Sequence, residues 1–260
     1  MKSNHYDDFA GNYSAENESS LLNAYYERPA MIGLAGDVTG HRVLDAGCGS
    51  GPLSAALAAK GAVVTGFDSS PAMLELARQR LGPTADLYLA DLSKPLPFAD
   101  GSFDDVVSSL VLHYLEDWSA PLAELRRVLK PGGRLILSVN HPTVSVINQP
   151  AEDYFAIRQY SEDYEFAGEP AVLTFWHRPL HAMISAFTSA GYRVATVSEP
   201  EPSPDTPHEL LPPRILNGER TAFLSFIFFV LEADKVRTGT DMPDSADEDL
   251  ARLARRGRAE

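Results

Sequence analysis

The chain has 260 residues, 44% of them hydrophobic, which is enough to bury a full core and too many for a disordered chain. Asp and Glu outnumber Lys and Arg by 36 to 22, a net charge of −14, and so acidic a chain lacks the positive field that holds a phosphate backbone. A lone cysteine, Cys48, excludes a disulfide framework and a cysteine-based zinc site, and fits a reducing compartment.

No apolar run opens the sequence at Met1 to Asp8, and the longest apolar stretch, Ala222 to Leu231, is too short to span a bilayer. The expectation is a soluble cytoplasmic protein with neither a membrane nor a nucleic acid as partner. The stretch to Ala35 is compatible with helix and carries Tyr6, Tyr13, Tyr25 and Tyr26, followed by Arg28-Pro29. These tyrosines either pack a helix against the core or close over a ligand.

Arg42 to Leu44 reads as a short apolar strand, followed by Asp45-Ala46-Gly47-Cys48-Gly49-Ser50-Gly51. The glycines let the backbone turn sharply and approach a ligand closely. Pro52 suits the first position of the helix that follows, since the N–H it lacks would be unpaired there. A dinucleotide fingerprint would need its third glycine at position 52. Asp45 argues the same way: a carboxylate at a strand end repels a pyrophosphate and suits a cationic ammonium or sulfonium. Cys48, with no paired histidine nearby in sequence, reads as a small filler of the loop.

Ala62 to Phe67 is a second strand ending in Asp68, whose carboxylate is placed to accept two ribose hydroxyls. Ser69-Ser70-Pro71 caps a helix from Ala72 to Leu81, with Met73 and Leu74 on its buried side. Asp86 to Ala90 is a third strand leading to Asp91-Leu92. The segment Leu96 to Val107 and the run Glu124 to Leu135, with its Lys130-Pro131-Gly132-Gly133 turn, supply a fourth strand, a helix and the start of a fifth strand.

Taken together, over roughly residues 40 to 141, these motifs closely resemble those of class I S-adenosylmethionine-dependent methyltransferases with small-molecule acceptors. The resemblance implies a doubly wound, Rossmann-like α/β fold with a seven-stranded sheet. Tyr192 to Ser198 and Ala222 to Leu231 would complete it as an antiparallel pair, after a helix from Leu180 to Ala190. The implied cofactor is S-adenosyl-L-methionine, with S-adenosyl-L-homocysteine as product. Asp45, Gly47, Cys48, Gly49 and Gly51 would hold the methionyl part, Asp68, Ser69 and Met73 the ribose side, Asp91 and Leu92 the adenine. Ser109 would border the same site. Arg28 would pair with the methionyl carboxylate, while Tyr13 or Tyr26 would face the sulfonium.

Methyl transfer needs an aligned nucleophile, exclusion of water and, for a protonated nucleophile, a base. His113, beyond the fourth strand, and His141, before Pro142, are the candidates. Each could instead bond backbone at a strand end. The insertion 142–178 is aromatic-rich and should lie as a lid over the carboxyl ends of the sheet, where ligands bind in open α/β folds. Tyr13, His113, Tyr114, His141, Tyr154, Tyr160, Trp176 and His177 are its candidate contacts to a small, partly apolar or aromatic acceptor. No metal-ligand spacing occurs. One domain over 1–231 is expected, with 1–35 as a helical cap and 232–260 as a polar tail carrying a short helix near Asp249 to Arg256. Cofactor-assisted decarboxylation or rearrangement uses the same core and stays open; an RNA methyltransferase or a cofactor-binding partner subunit fits the acidic charge and ready-made lid less well.

Overall fold

The computed structural model describes residues 7, 9–166 and 168–234; the proposed tail helix and Tyr6 lie outside them. Its centre is a seven-stranded sheet in the order β3-β2-β1-β4-β5-β9-β8. The strands are β1 (Arg42–Ala46), β2 (Val63–Asp68), β3 (Asp86–Leu89), β4 (Phe103–Ser109), β5 (Leu129–Asn140), β8 (Tyr192–Ser198) and β9 (Phe226–Ala233). Neighbours from β3 to β5 pair in parallel, and β9 runs antiparallel to both β5 and β8. So β9 alone is reversed. It also begins four residues later than the apolar run suggested and takes in Glu232 and Ala233, which the sequence reading gave to the tail. Their pairing with Arg193 and Tyr192 explains the difference.

Two apolar layers cover the sheet. Side chains alternate along a strand, so Phe226, Phe228 and Val230 join the layer with Met31, Ala35, Leu53 and Leu57, while Ile227, Phe229 and Leu231 join that with Trp118, Leu122, Leu125 and Phe187. The first layer comes from α2 (Arg28–Ala35) and α3 (Pro52–Ala59), the second from α5 (Ser119–Val128) and α7 (Leu180–Ser189). This is the doubly wound arrangement expected. Each phenylalanine fully buried here contributes roughly 1.5–3 kcal/mol.

Local chemistry sets the helix starts. Ser70 caps α4 (Pro71–Leu81), its Oγ accepting from Met73 N at 3.1 Å, with Pro71 at the first position. At the amino ends of the strands Asp105 accepts from Arg134 Nε at 2.7 Å and lies 2.7 Å from His41 Nδ1, while Arg134 also reaches Ala35 O. That knot fixes α2 at the end of the sheet opposite the glycine loop.

The N-terminal segment is α1 (Ala10–Ser19), then a π-helical turn Asn23–Glu27 that runs into α2. The insertion after β5 holds α6 (Pro142–Asn148) and an antiparallel hairpin, β6 (Arg158–Phe166) with β7 (Glu169–His177). Sequence reading gave only a lid here. Tyr160, Phe166, Leu173 and Phe175 form a small core beneath the hairpin with Phe9, Tyr13 and Tyr114 packed against it.

Candidate functional site

The sheet's order turns at β1, with β2 on one side and β4 on the other, and open α/β sheets bind ligands beyond the carboxyl ends at that point. The glycine loop lies there. Gly47, Gly49 and Gly51 all have positive φ, at 81°, 53° and 80°. A Cβ on Gly47 would come within 2.4 Å of Val111 Cγ2, whereas one on Gly49 would meet nothing within 4 Å. The backbone at Gly49 faces open space, so a ligand can approach it closely. Cys48 packs against Gly66, whose added Cβ would sit 3.1 Å from its Sγ, and burial pushes the thiol well above its ordinary range. It is a filler.

A cavity of about 60 Å³ opens from the loop, lined among others by Tyr13, Glu27, Arg28, Asp45, Gly47 and Ser109. Asp45 is 1% exposed; its Oδ2 accepts from Ser54 Oγ at 2.6 Å and its Oδ1 has no partner. Burial, reinforced by Asp68 and Glu27 and opposed by the Ser54 bond, pushes its carboxyl up to about 7. Such an orphaned carboxylate is costly in a dry pocket and suits a cationic ligand. The residues present therefore fit the ammonium and sulfonium of a methionyl cofactor. α1 lies across the loop: Ser14 Oγ donates to Ser50 Oγ at 2.8 Å, and Arg80, on α4, pairs with Glu18 at 2.5 Å.

Asp68, at the end of β2, accepts from Gly49 N and Ser70 N at 2.9 Å each, tying the loop to the start of α4. Ser69 is exposed beside it. Asp91 accepts from Ser93 N at 2.9 Å and Ser93 Oγ at 2.7 Å in a loop after β3, and Leu92 is buried. Arg28 donates to Asn17 O at 2.7 Å on the cavity wall. Gly51 is the left-handed cap of α3.

Several expected contacts fall elsewhere. Tyr26 is 1% exposed, ringed by Phe223, Phe226 and Phe228, with its hydroxyl donating to Phe223 O at 3.2 Å and its pKa pushed up to about 12 by burial. It is a core residue and not a lid on the cofactor. Met73 is likewise buried under α4, outside the cavity lining.

Neither histidine proposed as base faces the cavity. His113 Nδ1 accepts from Asn140 N at 3.0 Å, so the ring proton sits on Nε2, which is buried without a partner, and burial drives the pKa down to about 3. His141 caps α6: its Nδ1 accepts from Thr143 N at 3.2 Å and its Nε2 lies 2.7 Å from Glu199 Oε1. Both nitrogens are spent on structure. His177 holds Tyr154 O at 2.7 Å, and the Tyr154 hydroxyl accepts from Leu180 N at 3.1 Å, so these two pin the base of the hairpin. Tyr160 accepts from Asn140 Nδ2 at 3.0 Å, Trp176 stands half-buried on the other face of β7 from Phe175, and Tyr114 stacks on Phe175. Of the expected acceptor contacts, Tyr13 alone joins this aromatic cluster to the cavity.

Sequence reading missed Glu27. It is 4% exposed, lines the cavity, and accepts at one oxygen from both Ser109 Oγ (2.7 Å) and Ser138 Oγ (2.6 Å). Burial raises its pKa against the pull of these hydroxyls and of Arg28. It also missed Leu110, at φ 56° the one non-glycine residue with positive φ among those described, whose N–H bonds both Ser138 Oγ and Ser138 O. A strained residue at the lip of a cavity commonly marks function.

Residues 44–137 match the family model described as "Methyltransferase domain". The chain is 39% identical over 129 residues to a malonyl-[acyl-carrier protein] O-methyltransferase of Serratia marcescens, covering 50% of this chain and 48% of that protein. It is 38% identical over 125 residues to the demethylmenaquinone methyltransferase of Tropheryma whipplei (strain Twist), covering 48% and 52%. The chain thus spans about half the length of these curated relatives. An S-adenosylmethionine dependent methyltransferase from Mesorhizobium loti superposes with a TM-score of 0.58 at 26% identity, over 78% of this chain and 96% of that one. With the matching segment, the reversed β9 and the orphaned acid of the glycine loop in agreement, the chain carries over residues 44–137 the core of a class I S-adenosylmethionine-dependent methyltransferase, with S-adenosylmethionine as its cofactor.

Proposed function

We propose that the protein transfers the methyl group of S-adenosylmethionine to a small, partly apolar acceptor in the cytoplasm. The observation that carries this reading is the Asp45 carboxylate, buried at the head of a glycine cradle with Oδ1 left for a cation. When bound, the cofactor supplies an electrophilic methyl carbon on a positively charged sulfur. The chain's own part is to bind, align and keep water out.

In this reading Asp45, Gly47, Gly49 and Arg28 receive the methionyl end, Asp68 the ribose and Asp91 with Leu92 the adenine. The N-terminal segment through Ala35 acts as the cap, and 142–178 with its hairpin as the lid over the acceptor. The aromatic cluster of Tyr13, Tyr114, Tyr160 and Phe175 favours an acceptor with an apolar or aromatic body. The curated relatives differ in their acceptors: by name, one acts on demethylmenaquinone and another on a malonyl group carried by a protein, and the first is the kind that the aromatic cluster favours.

Titration calorimetry with S-adenosylmethionine and S-adenosylhomocysteine tests the cofactor half. Binding of both is expected, and binding of neither would overturn the reading. Incubation with methyl-labelled cofactor and a small-molecule extract, set beside total RNA, tests the acceptor class; label entering RNA alone would reject a small-molecule acceptor.

A further inference from the structure

We propose that Glu27 is the carboxylate that pairs with the positively charged sulfur of the methyl donor, so that the site grips the charged donor and loosens on the neutral product. The proposal rests on the cofactor reading above and assigns to it a residue outside the motifs of the 44–137 core.

Placement is the first argument. Glu27 closes the π-helical turn Asn23–Glu27, an arrangement that adds a residue to one turn and recurs where a side chain must be aimed. Its Oε1 takes two hydroxyl hydrogen bonds, from Ser109 at the end of β4 and from Ser138 in β5. The carboxylate is therefore anchored over the β4–β5 half of the cleft, while Asp45 stands one residue before the end of β1 on the other half. A methyl group bound for an acceptor must lie where these halves meet.

Charge is the second. Two buried acids, Asp45 and Glu27, line one cavity, and Glu27 adds to the burial that opposes the ionisation of Asp45. Arg28 is the sole Lys or Arg among the lining residues, and its guanidinium is turned to Asn17 and Glu18. The cavity is short of positive charge. A methionyl sulfonium brings two positive centres on one short chain, an ammonium and a sulfonium, one for each acid, and a single carboxylate, which the reading above gives to Arg28. Asp45, in the glycine cradle, takes the ammonium, which leaves the sulfonium to Glu27.

The consequence follows from the chemistry of transfer. The acceptor's lone pair forms the new bond to the methyl carbon, the S–C electron pair stays on sulfur, and the positive charge passes to the methylated acceptor. The sulfur ends neutral. Glu27 then has no counter-charge in the thioether, and the product is held less tightly than the donor.

The test compares S-adenosylmethionine with S-adenosylhomocysteine, which share the ammonium and nucleoside and differ at sulfur, by calorimetry on the full chain. Wild type should favour the charged ligand. Glu27→Gln should weaken S-adenosylmethionine by about tenfold or more, the size of one charge-assisted contact, and leave S-adenosylhomocysteine within about twofold. Asp45→Asn should weaken both by a similar factor. Equal loss of both ligands in Glu27→Gln, or no change in either, would overturn the proposal, whereas failure of wild type to bind either ligand would instead overturn the cofactor reading. Retained S-adenosylhomocysteine binding shows that the variant folds. Should Glu27→Gln fail to fold, Ser109→Ala, which removes one anchor of the carboxylate, should still narrow the preference severalfold; an unchanged preference would count against the proposal.

Discussion

Glu27 and Ser138, 111 positions apart in the chain, meet side chain to side chain at 2.6 Å. The contact carries the N-terminal cap onto the centre of the sheet, because Ser138 is fully buried in β5 and its Oγ also accepts from Leu110 N at 3.0 Å. Cap, strand end and cavity wall are thus one hydrogen-bonded unit, and the cost of disturbing its members can be stated.

The glycine loop gives the sharpest contrast. Gly47→Ala sets a methyl 2.4 Å from Val111 Cγ2 at φ 81° and should cost roughly 2–4 kcal/mol, combining overpacking with left-handed strain. Gly49→Ala meets no atom and should cost about 1–2 kcal/mol of strain alone, yet it fills the cradle. Urea unfolding should rank Gly47→Ala as the less stable variant. Calorimetry should show that Gly49→Ala, though folded, has lost S-adenosylhomocysteine; a folded variant that binds normally would contradict the cradle.

Asp45 should make the free protein less stable at high pH. Its folded pKa, about 7, lies above the unfolded carboxylate value, so the folded state holds the proton more tightly. Stability then falls as pH rises from about 4 to about 7, and the penalty is complete above that window. Asp45→Asn should be more stable than wild type at pH 8 by about 1–3 kcal/mol, the full penalty of about 4 kcal/mol less the cost of an unpaired amide N–H. At pH 4 the advantage should vanish. Urea midpoints at the two pH values check it, and a constant difference would remove Asp45 as the titrating group.

His113 should act in the opposite direction. Its folded pKa of about 3 lies below the unfolded value near 6.5, so the unfolded chain binds the extra proton and stability is lost as pH falls below 6.5. Wild type should lose about 2 kcal/mol between pH 7 and pH 5 through this group. The variant His113→Asn keeps an acceptor for Asn140 N–H and should not lose it. The same urea series reads the effect, and equal acid sensitivity in both proteins would assign the proton elsewhere.

His141 is tested as a helix cap. Because its Nδ1 accepts from Thr143 N at the start of α6, His141→Ala should cost about 1 kcal/mol and His141→Asn should recover most of that. Affinity for S-adenosylhomocysteine should be unchanged in both. A large loss of affinity without loss of stability would return His141 to the ligand site.

These residues also show where local sequence suffices. The strand-to-helix hinge at Gly47 to Pro52 is legible because φ, capping and the bare Cα are set within a few residues. The β6–β7 hairpin left a readable trace too: Ala171, Leu173, Phe175 and His177 alternate along one face, after Gly168 with its positive φ. Glu27 left no such trace. Its hydroxyl partners lie 82 and 111 positions away, and a glutamate between Tyr26 and Arg28 reads as an ordinary helix surface until the sheet folds beneath it. His113 and His141 are opaque in the same way, since the groups bonded to His113 Nδ1 and His141 Nε2 come from Asn140 and Glu199, 27 and 58 positions away.

Leu110 has one more consequence. Its left-handed backbone turns the chain between Ser109, which holds Glu27, and Val111, which fills the space in front of Gly47. A rotation at this one residue therefore moves a wall of each half of the cleft at once.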